Sequence, residues 1–79
     1  MKVKAYVLIE TTPGKSKDVL PKLMALDGVK SADSVTGPYD IIAIIECEDL
    51  NELGALITDR MVRIGDVQRT RTCASSMSA

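Results

Sequence analysis

The run Ile41-Ile42-Ala43-Ile44-Ile45 constrains this chain more than any other feature. Successive side chains of an extended segment point to opposite faces, so a strand built from this run is apolar on both. Such a strand belongs in the middle of a sheet, with something packed on each side. The chain has only 79 residues, and a single core of that size rarely supplies more than about 3–5 kcal/mol. One layer of helices can cover one face. The other face calls for a partner chain.

The segments around the run fit this picture. Residues 3–10 alternate, with Val3, Ala5, Val7 and Ile9 on one face and Lys4, Tyr6, Leu8 and Glu10 on the other. Thr11-Thr12-Pro13-Gly14 ends that strand with turn chemistry. Over residues 15–26, Val19, Leu20, Leu23, Met24 and Leu26 recur at helical spacing. Pro21 requires this helix to start late or to bend. Asp27-Gly28 closes it, with Gly28 suited to the left-handed position. Residues 29–36 read as a polar edge strand. Gly37-Pro38 allows no parallel crossover, so the strand over residues 41–47 runs antiparallel to it.

Asp49 and Glu52 have capping-box spacing, and Leu50, Leu53, Ile57, Met61 and Ile64 form a helical stripe behind them. Arg60 and Arg63 suit the negative end of the helix dipole. Gly65 ends this helix, residues 67–73 form a last strand, and the Ser-rich residues 74–79 are expected to fray. The whole chain, 1–79, is one domain.

The order is βαββαβ. With right-handed crossovers it predicts an α+β, ferredoxin-like fold: a four-stranded antiparallel sheet of order 4-1-3-2 with both helices on one face. Tyr6, Leu8, Ile42 and Ile44 then lie on the bare face, where an apolar patch marks an interaction surface. Two such sheets packed together form a dimer.

Composition removes many functions. His, Trp and Phe are absent and Tyr occurs twice, so His-based acid/base chemistry, His metal ligands and aromatic platforms for bases are missing. A net charge of -1 argues against general affinity for nucleic acid or anionic membrane. Without a long apolar run or signal-peptide pattern, the cytoplasm is the expected location. Cys47 and Cys73 match neither a disulfide scaffold nor a zinc pattern. They are expected about 10 Å apart with the first strand between them, too far to bridge. Glu46, Glu48 and Asp49 could attract a divalent cation, but Asp49 has a capping duty and its neighbours alternate in direction; a solvated strand end is the better reading. No phosphate-binding loop occurs. The alternating Arg69 and Arg71 suit an edge strand that resists aggregation. Neither a metal nor a cofactor is expected.

Chemistry concentrates in Val35-Thr36-Gly37-Pro38-Tyr39-Asp40. Gly37 lets backbone N–H groups approach a carboxylate, and Tyr39 offers an apolar wall with a hydroxyl. Asp40 or nearby carbonyls can take an ammonium, and Asp40 can hold the polar turn around it. A hairpin turn without any ligand has the same composition.

Three segments carry a resemblance. Thr11-Thr12-Pro13-Gly14, Val35-Thr36-Gly37-Pro38-Tyr39-Asp40 and Val67-Gln68-Arg69-Thr70-Arg71-Thr72 are similar, in order and separation, to the Thr-x-Pro-Gly, Val-Thr-Gly-x-Tyr-Asp and Val-x-Arg-Thr-x-Thr motifs of the Lrp/AsnC effector-binding, or RAM, domain. The regulators of that family carry an N-terminal helix-turn-helix; this sequence resembles the stand-alone members that lack it. The resemblance implies a sheet-faced dimer, assembly of dimers into rings such as octamers, and an amino acid or related molecule held between dimers. Carried over, the contacts are Thr36, Gly37, Tyr39 and Asp40, with Thr70 and Thr72 from the last strand. It further implies transcriptional regulation by co-assembly with full-length regulators, without direct DNA contact. A small ferredoxin-like monooxygenase or isomerase, or a purely structural oligomer, are the alternatives.

Overall fold

In the computed structural model, which describes residues 2–75, alternating strand residues become the two faces of one sheet. Strands β1 (Val3–Thr11), β2 (Val29–Ser34), β3 (Ile41–Cys47) and β4 (Val67–Ala74) lie in the order β2-β3-β1-β4, which is the expected 4-1-3-2 read from the other edge. All neighbouring pairs are antiparallel. Helix α1 (Ser16–Met24) joins β1 to β2, and helix α2 (Leu50–Leu56) follows β3.

Register decides which side chains form the core. Ala5, Val7 and Ile9 of β1 stand opposite Ile45, Ala43 and Ile41 of β3. All six are fully buried, together with Val19 and Leu23 from α1 and Met61 beyond α2, while Leu53 is nearly so. The isoleucine run therefore has one face covered within the chain. Ile42 and Ile44, pointing the other way, are half-buried.

Pro21 lies inside α1. It removes one N–H from the ladder, and its exposed position lets the helix continue without burying the orphaned carbonyl. The helix stops at Met24, short of Leu26, and Met24 is 48% exposed. That corrects its place in the apolar stripe; Val19 and Leu23 are the fully buried contacts with the sheet, and Leu20 and Leu26 pack against the core half-buried. Gly28 has φ of 97°, and a Cβ there would meet Leu56 Cδ2 at 3.4 Å and the Glu46 carbonyl oxygen at 3.6 Å. Both the backbone angle and the close approach favour glycine.

At the start of α2, Asp49 Oδ1 accepts from the Glu52 N–H at 2.8 Å. Glu52 Oε1 accepts from Glu48 N–H at 3.1 Å, one residue earlier than in the usual reciprocal box. Leu50 is 64% exposed, so the stripe begins at Leu53; Leu50 sits in the first turn, beyond the sheet. After Leu56 the helix widens into one π-helical turn, Ile57–Met61. The Thr58 hydroxyl donates to the Gly54 carbonyl at 2.8 Å, competing for an acceptor of the regular ladder. Eight α-helical residues make rather more than two turns. The wide turn trims that excess and aligns Met61 with Leu53 over the core.

Two further expectations change. The second helical segment ends at Met61 rather than at Gly65, and the left-handed residue before β4 is Asp66, with φ of 75°. Ala74 belongs to β4, and the Ser75 N–H donates to the Lys4 carbonyl at 2.8 Å. Pairing with β1 holds the first part of the expected tail, and residues 76–79 lie outside the described residues.

Cys47 is buried on the helix side opposite Val3, whereas exposed Cys73 stands opposite Tyr6, in register with the bare face. The two are separated by β1 and face opposite ways. Burial, reinforced by the nearby carboxylates of Glu52, Asp49 and Glu48, pushes the Cys47 thiol up from its ordinary value and keeps it protonated. Alkylation read by mass spectrometry should label Cys73 first and Cys47 only after unfolding. An intramolecular Cys47–Cys73 link under non-reducing conditions would contradict both the separation and the strand order.

Candidate functional site

The polar turn and the apolar strip sit on different parts of the sheet. The turn joins β2 to β3. Val35 N–H donates to the Asp40 carbonyl at 2.9 Å, closing a loop over residues 35–40. Gly37 has φ of 137° with nothing near a notional Cβ, so backbone freedom rather than space requires glycine there. Thr36, Gly37 and Pro38 are exposed; Tyr39 and Asp40 are half-buried.

Asp40 anchors this loop with three groups. Besides the carbonyl bond to Val35, its N–H donates to the Ile9 carbonyl at 2.9 Å. Its carboxylate Oδ2 accepts from the Thr11 N–H at 2.8 Å. The expected alternative for this side chain was a backbone bond within its own turn; the partner lies instead on the neighbouring strand. Thr11 itself is 4% exposed and lies where β1 shifts register against β4. The next N–H, of Thr12, donates to the Asp66 carbonyl at 2.8 Å. Sequence reasoning missed Thr11, because its part rests on a backbone amide and leaves no side-chain signature.

Thr70 and Thr72 stand opposite Ile9 and Val7, so they share the helix-side face of β4, half-buried and exposed respectively. β1 separates them from β3. Thr70 lies in the row of Ile9 and Ile41, two strand spacings or about 10 Å from the start of β3. Within one chain the turn residues form one group and the β4 threonines another.

The bare face gathers the four residues expected there. Tyr6 pairs with Ile44, and Leu8 with Ile42, which makes one contiguous block. Tyr6 is 40% exposed and carries Lys4 Nζ over its ring at 5.4 Å. Lys30 and Glu46, 4.0 Å apart, lie at one end. Glu10 opposite Arg69, and Leu8 opposite Arg71, carry charge along the β4 side. An apolar centre with a charged rim is the anatomy of a protein interface.

At the opposite end of β3 from the turn, an open groove of about 410 Å³ is lined by Leu26, Asp27, Gly28, Cys47, Glu52 and Asp59, among others. Among the described residues, no group of three or more Cys, Asp or Glu side chains is arranged to hold a metal ion. No helix among them is long and apolar enough to cross a membrane.

A βαββαβ sheet with a polar β2–β3 turn and a bare apolar face defines a small ferredoxin-like module. Residues 4–77 match the family model of the Lrp/AsnC ligand binding domain. An uncharacterized HTH-type transcriptional regulator of Pyrococcus abyssi is 32% identical over 68 residues, which are 86% of this chain and 43% of that protein. A hypothetical protein of Pyrococcus horikoshii superposes with a TM-score of 0.88 at 35% identity, covering 95% of this chain and 90% of its own. AsnC of E. coli superposes with a TM-score of 0.90 at 25% identity, covering 95% and 51%. The chain belongs to the Lrp/AsnC ligand binding domain family. It spans less than half the length of the curated regulator it matches.

Proposed function

We propose that this chain is a non-enzymatic, cytoplasmic sensing module that binds an amino acid or a related small molecule. In this reading it self-associates through Tyr6, Leu8, Ile42 and Ile44, and its dimers assemble into a ring such as an octamer. It then modulates transcription by co-assembling with full-length regulators of its family, without touching DNA itself. The effector site is formed by Thr36, Gly37, Tyr39 and Asp40 from one chain. Thr70 and Thr72 come from a neighbouring chain, since β1 separates the two groups within a protomer.

The observation that carries the reading is the β2–β3 loop. Its frame is anchored through Asp40 while Thr36 and Gly37 stay exposed, leaving backbone N–H groups at a glycine free to approach a carboxylate. A regulator of Neisseria meningitidis with the same fold, at 17% identity, has been solved as a complex with L-Met. Ligand bound between chains shifts assembly by mass action and needs no chemistry. The enzyme alternative asks for a cavity between sheet and helices. The centre of that layer is filled by Val19, Leu23, Leu53 and Met61, all at most 5% exposed, and the groove beside Cys47 and Glu52 is open and lies at its edge.

A thermal-shift screen of the twenty L-amino acids, read together with light scattering, tests the proposal. At least one amino acid should raise the melting temperature and change the assembly size. If none does either, the purely structural oligomer takes its place.

A further inference from the structure

The sequence offers Asp40 as a counter-charge for a ligand ammonium, but the geometry points to a different duty. We infer that the Asp40 carboxylate is a positioning group. It orders the effector loop by gripping the Thr11 N–H, and its role there is that of a hydrogen-bond acceptor at one fixed place rather than that of a negative charge facing the ligand. This rests on the reading of the β2–β3 loop as the effector site.

Three bonds support it. The Asp40 N–H donates to the Ile9 carbonyl at 2.9 Å and the Thr11 N–H donates to Asp40 Oδ2 at 2.8 Å. Backbone and side chain of one residue thus hold two points of β1 on either side of the register shift at Glu10 and Thr11. The third bond, Val35 N–H to the Asp40 carbonyl at 2.9 Å, ties the far leg of the loop to the same residue. Thr11 is buried, and its N–H lies where the ladder to β4 is irregular, so without Asp40 a buried donor loses its partner. The adjoining Thr12–Asp66 bond continues the line to the start of β4, the strand that carries Thr70 and Thr72. Asp40 therefore sets the loop against β1 at the point where β1 meets β4. A ligand ammonium is then left to neutral acceptors, such as the carbonyls of residues 36–39.

Three substitutions separate geometry from charge. Asp40→Asn keeps a carbonyl oxygen at the same distance from the backbone and removes the charge. Asp40→Glu keeps the charge and moves the oxygens by one methylene. Asp40→Ala removes both. Hydrogen exchange by NMR without ligand reads the clasp directly. The Thr11 amide should exchange about tenfold faster in Asp40→Ala, the equivalent of one charge-assisted bond of roughly 1.5 kcal/mol. It should rise only about threefold in Asp40→Asn, which keeps a neutral bond roughly half as strong, with the Val7 and Ala43 amides unchanged throughout. Unchanged Thr11 exchange in Asp40→Ala overturns the inference whatever the ligand.

The thermal-shift screen with the twenty L-amino acids, added singly to each variant, reads the functional half. Amino acids that stabilise the wild type should also stabilise Asp40→Asn and should fail with Asp40→Glu and Asp40→Ala. A response kept by Asp40→Glu and lost in Asp40→Asn means that the charge meets the ligand, and overturns the positioning role. If no amino acid moves the wild type, the effector reading itself falls, and Thr11 exchange alone decides the clasp.

Discussion

Leu8→Asp is expected to turn an associated protein into a folded monomer. Leu8 lies on a central strand, opposite Ile42 on one side and Arg71 on the other. It is only half-buried in the single chain, so an aspartate there stays hydrated in the monomer and has an arginine nearby. In a sheet-faced dimer the same carboxylate would be enclosed among Tyr6, Ile42 and Ile44. Enclosing that carboxylate costs about 3 kcal/mol or more even with Arg71 beside it, which weakens association more than a hundredfold. Sedimentation velocity on both proteins, with circular dichroism to confirm the fold, gives the answer. A wild type that sediments as a monomer at micromolar concentration would remove the interface, as would a Leu8→Asp protein that remains a dimer.

The second large effect lies on the other side of the sheet. Ile45→Ala should destabilise the domain by about 2–5 kcal/mol, the range for emptying a fully buried aliphatic site. The upper part of that range is expected because the cross-strand neighbours cannot refill the space. Ile45 stands opposite Ala5 on β1 and Val29 on β2, and Ala5 has no side chain long enough to move in. An isolated core of this size supplies about 3–5 kcal/mol, so the variant should be largely unfolded unless association rescues it. Urea unfolding at two protein concentrations measures both. A loss below about 1 kcal/mol would mean that the core is far more plastic than its close packing implies.

These two residues illustrate what was legible before the structure. The alternation in residues 3–10 and the double-sided isoleucine run assigned Ile45 to a core and Leu8 to an opposite face, because side-chain direction in a strand follows from period alone. The six elements and their spatial order followed from the turn chemistry and from the handedness of crossovers. The helix stripes were less legible. Leu50 and Met24 fit a helical period and are nonetheless exposed, since period says which face a residue takes and not whether the helix end still overlies the sheet. The π-helical turn was invisible for a related reason: it arises from competition for the Gly54 carbonyl, which no apolar pattern records.

By itself the sequence determined the order βαββαβ, the strand arrangement, the identity of the bare face and the loop where polar chemistry gathers. All of these follow from local chain geometry and from the separation of apolar and polar side chains. Only the tertiary structure decided what the polar residues do. It bonded Asp40 to Thr11 across 29 positions of sequence and set Thr70 and Thr72 on the far side of β1 from the loop. It also carried β4 through Ala74. Hydrogen-bond partners of this kind depend on which backbone groups the fold leaves unpaired, and that is a property of strand register, not of composition.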